Sequence, residues 1–87
     1  MLKDYFEQYL DCKVTPNPSN QYFNLEIESA SHEKIEVKLY DITGRFISKL
    51  NAVKNQTYTF GEDLRPGMYM VEVRQGQQSK TVKVVKQ

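Results

Sequence analysis

Residues 23–27 read Phe-Asn-Leu-Glu-Ile, and residues 35–39 read Ile-Glu-Val-Lys-Leu. In both stretches apolar and polar side chains alternate, so that the apolar side chains share one face of an extended strand. This alternation is typical of antiparallel strands that cover a core on one side and meet water on the other. The two stretches therefore predict half-buried antiparallel strands.

The same pattern continues toward the C-terminus, where further strands are predicted over residues 45–50, 58–60, 68–74 and 80–86. In the last two strands, the predicted inner-face residues are Tyr69, Val71, Val73, Val82 and Val84. Turn signals separate the strands at intervals of roughly 10–12 residues. They include Asp41-Ile42-Thr43-Gly44, the Pro-Gly corner over residues 63–67 and the loop over residues 75–78.

The fold class follows from this spacing and from the lack of a crossover helix. Six strands are clear, and the segment Val14 to Asn20, with prolines at 16 and 18, predicts a further extended segment followed by a turn. The sequence therefore predicts an all-β, immunoglobulin-like antiparallel β-sandwich of about seven strands.

The first residues differ from the rest of the chain. Leu2, Tyr5, Phe6, Tyr9 and Leu10 follow the spacing of one face of an amphipathic helix. We therefore divide the chain into a linker or arm over residues 1–13, in which a short helix is left open, and a sandwich domain over residues 14–87.

Composition limits the classes of function. The chain has 87 residues, 12 basic and 11 acidic side chains and a net charge of +1. Such a balance argues against binding to nucleic acid or to an anionic membrane. No apolar stretch approaches the roughly 20 residues of a membrane-spanning helix, and the single cysteine excludes an internal disulfide.

The sequence offers no constellation for catalysis or metal binding. His32, the only histidine, lies in a polar loop, and Cys12 has neither a second cysteine nor a histidine nearby. Glu26, Glu28 and Glu36 are predicted on outward strand faces, where carboxylates usually serve solubility. We therefore expect no enzyme activity, no catalytic residues, no metal and no cofactor.

A series of short motifs then appears in a fixed order. Pro16-Asn17-Pro18 precedes the strand of residues 23–27, and Asp41, Gly44 and Arg45 form the next motif. Gly67 and Tyr69 follow, and Lys83-Val84-Val85-Lys86 closes the series. In this order the motifs resemble the type A C-terminal sorting domain of the type IX secretion system (the Por secretion signal family) of Bacteroidetes-type bacteria. The resemblance covers residues 14–87.

The resemblance implies a non-catalytic secretion signal that directs a fused upstream cargo protein across the outer membrane. It implies recognition by translocon components and by a sortase-like peptidase. It also implies transit through the periplasm, followed by a cell-surface or extracellular location. No secretory signal opens the chain, so we expect one on a preceding segment.

The candidate recognition residues carried over from the family motifs are Pro16, Asn17, Pro18, Asp41, Gly44, Arg45, Gly67, Tyr69, Lys83, Val84, Val85 and Lys86. The terminal strand is the best candidate for direct contact, because a strand at a sheet edge can pair with a partner. It could also pair two copies edge to edge. One departure is Gln21, which stands where the family usually has a glycine.

A second hypothesis remains open at this point. An adhesive or carbohydrate-binding sandwich accompanying an exported enzyme would need an exposed aromatic platform, for which Tyr22, Tyr40 and Tyr58 are the candidates.

Overall fold

The computed structural model describes residues 9–87, which form seven β-strands. The strands are β1 (Leu10–Thr15), β2 (Phe23–Ser29), β3 (Ile35–Asp41), β4 (Phe46–Ala52), β5 (Thr57–Phe60), β6 (Gly67–Gln75) and β7 (Gln78–Lys86). Within this part of the chain, no helix is long and apolar enough to cross a membrane.

The strands form two antiparallel sheets, with the order β1-β2-β5 in one and β4-β3-β6-β7 in the other. The predicted all-β sandwich is therefore confirmed. In the four-stranded sheet, Leu39 on β3 faces Val71 on β6, and Val71 faces Val82 on β7. The hairpin between β6 and β7 is tight, because Gln75 pairs directly with Gln78.

The core lies between the sheets and contains the predicted inner-face residues. Phe23, Leu25, Ile27, Ile35, Val71, Val73 and Val84 are the largest fully buried side chains. The ring of Phe23 stacks on Phe60 with centroids 5.3 Å apart, and such aromatic pairs add stability beyond their buried area. Val82, also predicted inside, is only partly buried against this core.

One side of the sandwich is closed by the segment between β1 and β2. This segment leaves β1 at Thr15 and runs along β7, where Ser19 forms a parallel bridge with Lys86. The peptide bonds before Pro16 and Pro18 are both cis. The terminal strand is thus held between β6 on one side and residues 17–19 on the other.

The helical spacing proposed for the first residues does not continue to Cys12. Leu10–Thr15 is a strand that pairs with β2 from Leu10↔Ser29 to Thr15↔Asn24. Leu10 and Val14 are buried and Cys12 is half-buried, so a period of two holds here, and the sheet pairing outweighs the helical spacing of Tyr9 and Leu10. The rest of that proposed helix, residues 1–8, lies outside the described residues.

Candidate recognition surface

The motif residues meet at one end of the sandwich. Across the four-stranded sheet, Asp41 pairs with Tyr69 and Tyr69 pairs with Val84. Gly67 pairs with Lys86, and Asn17 contacts the outer edge of β7. We call this region the motif end and define it as residues 16–19, 41–45, 65–69 and 83–87. Four stretches far apart in sequence thus become neighbours.

Asn17 joins the proline-rich segment to the terminal strand. Its Nδ2 donates to the carbonyl oxygen of Lys83 at 2.9 Å, and its Oδ1 accepts from the backbone N–H of Val85 at 3.0 Å. An amide side chain carries both a donor and an acceptor, so Asn17 pairs with β7 much as the backbone of a neighbouring strand would. An aspartate here would lack the donor.

Ser19 continues this pairing with its backbone. The N–H of Ser19 donates to Val85 O at 3.0 Å, and the N–H of Gln87 donates to Ser19 O at 2.8 Å. The hydroxyl of Ser19 also accepts from the N–H of Gln21 at 3.2 Å. Gln21 is not among the described residues with positive φ, so the turn does not require the glycine usual at this place.

Lys86 is the charged residue that the fold buries at this end. Only 5% of it is exposed, and its ammonium group donates to the carbonyl oxygens of Gly61 and Glu62. Buried charges need such partners. The side chain therefore ties the terminal strand to the loop between β5 and β6, and it is not presented to a partner.

Tyr69 fastens the start of β6. Its ring is buried and its hydroxyl donates to the carbonyl oxygen of Arg65 at 2.7 Å. A tyrosine that bonds back to the backbone a few residues upstream is a recurring corner in immunoglobulin-like sandwiches. Gly67 lies inside this corner with a φ of 154°, a conformation open mainly to glycine.

The Asp41 carboxylate organises the turn between β3 and β4. Oδ1 accepts from the hydroxyl of Thr43 at 2.6 Å and from the N–H groups of Thr43 and Arg45 at 3.0 Å, and Oδ2 accepts from Arg45 Nε at 3.2 Å. The hydroxyl of Thr43, followed by the N–H of Arg45, holds the pKa of this carboxyl below its ordinary value. Gly44 has a φ of 90°, as predicted for this turn.

The motif residues thus divide into buried and exposed groups. Val84, Tyr69 and Lys86 are buried. The exposed residues are Pro16, Asn17, Pro18, Gly44, Arg45, Gly67 and Lys83, and Asp41 and Val85 are half-buried. On β7 the exposed Lys83 and the half-buried Val85 lie on the outer face of the sheet, since Val84 and Lys86 point inward. Only this exposed group is available to a partner without unfolding.

Sequence reasoning missed the partners that hold these residues. Ser19 was not among the candidate recognition residues. The other partners are the backbone carbonyl groups of Gly61, Glu62 and Arg65, which cannot be identified from residue types because every residue has one. The pattern Pro-Asn-Pro-Ser could have indicated that Asn17 and Ser19 bond to backbone groups, because Asn and Ser side chains commonly do so in turns.

The residues considered for chemistry do not form a reactive site. His32 is exposed in the loop at the other end of the sandwich. Burial, followed by the Asp11 carboxylate, raises the pKa of the Cys12 thiol, which keeps it protonated near neutral pH. Among residues 9–87, no group of three or more His, Cys, Asp or Glu side chains could hold a metal ion.

The three tyrosines considered for an aromatic platform lie apart. Tyr58 packs against the core from β5, and its hydroxyl accepts from the N–H of Val53 at 2.7 Å. Tyr40 lies on the other sheet, edge-on to Phe46 with centroids 6.1 Å apart. Tyr22 is exposed just before β2. They do not share one flat surface.

Comparison with known proteins agrees with the order of the motifs. A family model described as a secretion system C-terminal sorting domain (Por_Secre_tail) matches residues 13–87. No curated protein matches the chain.

Proposed function

The chain belongs to the family of secretion system C-terminal sorting domains, and from this premise we propose that the exposed part of the motif end is what the export machinery reads. The domain is a sorting signal for type IX secretion, and it directs export across the outer membrane toward the cell surface or extracellular space. The family supports this function over a carbohydrate-binding module.

The observation that carries the proposal is the attachment of the proline-rich segment to the terminal strand. Asn17 and Ser19 bond to the backbone of residues 83–87, which brings the segment of the exposed Pro16 and Pro18 beside the strand of the exposed Lys83. A linear tail could display Lys83 and Val85, but only a folded domain displays them beside the two prolines. The proposed signal is therefore a surface of the folded domain and not a linear peptide sequence.

The export route contains two recognition steps. A translocon component binds the folded patch after the domain reaches the periplasm, and a sortase-like peptidase then separates the domain from a cargo fused upstream. Of the predicted linker over residues 1–13, the part that precedes β1 serves as the linker on the cargo side, because Leu10 to Lys13 pair with β2 in the sandwich. The domain itself performs no catalysis, which agrees with a family whose described role is sorting.

A reporter export assay tests the function. The whole chain is fused behind a periplasmic reporter in a bacterium that has the type IX system, and the reporter is measured in the medium and at the cell surface. We expect export with the fusion and retention without it. Retention of the intact fusion in the periplasm would contradict the sorting function itself.

A charge reversal tests the patch. Lys83→Glu changes an exposed side chain beside Asn17, and we expect export to fall about tenfold, as the loss of roughly 1.4 kcal/mol of contact free energy would give. Lys80→Glu is the matched control, because Lys80 is exposed on the same strand but away from the motif end. Equal export by the two variants would place recognition elsewhere on the domain.

A further inference from the structure

The side of the sandwich away from β1 and β7 is open. Strands β4 and β5 are the edges of their sheets there, and an apolar groove runs between the sheets on this side. The groove is lined by Leu25, Val37, Leu39, Ser48, Leu50, Phe60 and Val71. On β4 only Ala52 is buried, so this strand extends beyond the cover of the opposite sheet.

Exposed apolar side chains concentrate at this strand and its flanks. Among the described residues, the large hydrophobic side chains exposed between positions 42 and 53 are Ile42, Phe46, Ile47, Leu50 and Val53. Val53 is 58% exposed and Phe46 is 54% exposed. Clusters of this kind usually mark interaction surfaces.

The outer edge of β4 offers backbone groups for pairing. The N–H of Asp41 bonds to Arg45 O, and β3 pairs regularly with β6 along its whole length. Leu39 and Val37, two and four residues from Asp41, therefore also direct their backbone groups toward β4. Their partners Ser48 and Leu50 bond to β3, which leaves the N–H and C=O groups of Lys49 and Asn51 pointing away from the sheet.

The charge around this edge is positive. From Ile42 to Gly61 the charged side chains are Arg45, Lys49 and Lys54, and none is an aspartate or glutamate. On β3, Lys38 adds to this charge, while Glu36 lies 3.6 Å from Lys38 and 3.3 Å from Lys49, and Asp41 lies 3.2 Å from Arg45. The region around β4 thus contains four basic and two acidic side chains. Two copies joined along β4 would bring these positive edges together, which disfavours a homodimer here.

We propose that β4 is a docking edge for an extended, acidic and apolar segment of an export-machinery protein. The segment would join the four-stranded sheet as a fifth strand through the backbone of Lys49 and Asn51. Its apolar side chains would cover Leu50 and the groove, and its carboxylates would face Arg45 and Lys49. This inference rests on the proposed function, because it names a second surface for the same machinery.

A peptide titration tests the docking edge directly. The probe is a short synthetic peptide that alternates glutamate with valine and isoleucine, and its counterpart has lysine in place of glutamate. We expect amide shift changes in the NMR spectrum of the whole chain confined to residues 45–54. The acidic peptide should bind at least about tenfold more tightly than the lysine peptide. Equal binding of the two, or shifts at β1 or β7 instead, would overturn the proposal.

Two variants separate backbone pairing from charge. Asn51→Pro removes an outward N–H at an edge position where proline is tolerated, and Lys49→Glu reverses a charge while keeping the backbone. Both should weaken binding of the acidic peptide about tenfold or more. The control Lys80→Glu, on the other side of the sandwich, should leave binding unchanged. Unaltered binding to both β4 variants would overturn the proposal.

The export assay distinguishes this inference from the function it rests on. If the unaltered fusion is exported and both Asn51→Pro and Lys49→Glu abolish export, with melting curves kept, the docking edge is supported. If both variants are exported normally, the docking edge is wrong while the sorting function stands. A concentration-dependent dimer of the unaltered chain that Asn51→Pro dissolves would assign the edge to a second copy and would also overturn the proposal.

Discussion

Lys86 and Tyr69 illustrate how single residues at the motif end contribute to folding. Each is buried and each donates a hydrogen bond to a backbone carbonyl in the connection between β5 and β6. Their presence in the motif pattern is explained by this connection, which holds the start of β6 and the end of β7 in place. Contact with a partner is not needed to account for them.

Replacing Lys86 by methionine keeps most of the apolar stem but removes the ammonium donor. The carbonyl groups of Gly61 and Glu62 then lose their partner, and we expect the free energy of unfolding to fall by about 1–3 kcal/mol. Urea denaturation measures the change. Lys80→Met, at an exposed position, should stay within about 0.5 kcal/mol of the unaltered protein. An equal effect of both changes would show that the two carbonyl contacts do not matter.

Replacing Tyr69 by phenylalanine removes only the hydroxyl that bonds to Arg65 O. We expect a loss of about 1 kcal/mol in the free energy of unfolding, since a single hydrogen bond contributes roughly 0.5–1.5 kcal/mol. Thermal melting measures it, with Tyr22→Phe at an exposed position as the control. Unchanged melting in Tyr69→Phe would mean that this corner is held by packing alone.

At the scale of elements, the strands with strict alternation were predicted correctly from the sequence, whereas a competing helical spacing and a long-range contact account for what was missed. β2, β3 and β6 put their apolar side chains inward as expected. The first residues of β1 were missed because Tyr9 and Leu10 extend a helical spacing, whereas an extended segment was predicted from Val14 onward. The contact of Asn17 with β7 spans 66 and 68 residues, and no local pattern reports a pairing over such a distance.

The β3–β4 turn is an element whose stability should depend on pH. The lowered pKa of Asp41 means that its carboxylate stabilises the fold fully above the ordinary aspartate pKa of about 3.9. This contribution is lost as the pH falls through the lower pKa of the folded state. In the Asp41→Asn variant, the free energy of unfolding should therefore decrease less at acidic pH than it does in the unaltered protein. A variant curve parallel to that of the unaltered protein below pH 4 would contradict this role.

At the scale of the whole molecule, the two sides of the sandwich differ. Residues 17–19 close the side formed by β1 and β7, whereas an apolar groove lies open between β4 and β5. The sequence predicted two facing layers but not this difference, because the burial of a strand depends on how far the opposite sheet extends. Leu50 on β4, with an inward side chain, is 38% exposed for this reason.

Paired core variants test this asymmetry. Leu39 is 7% exposed and Leu50 is 38% exposed, although both side chains face the groove. Leu39→Ala should lower the free energy of unfolding by roughly 2–4 kcal/mol, a large fraction of the stability of so small a domain. Leu50→Ala should cost clearly less, because less apolar surface is buried there. Equal losses in denaturant titrations would show that β4 is covered in solution.

The fastening of β7 by Asn17, Ser19 and the loop at Gly61 has a consequence for damage to the protein. Loss of residues 83–87 would detach the proline-rich segment, free the loop after β5 and expose the edge of β6 that pairs with β7. Damage to these few residues would thus disorder the whole end of the domain. A partner that binds the folded surface would then not bind an incomplete copy.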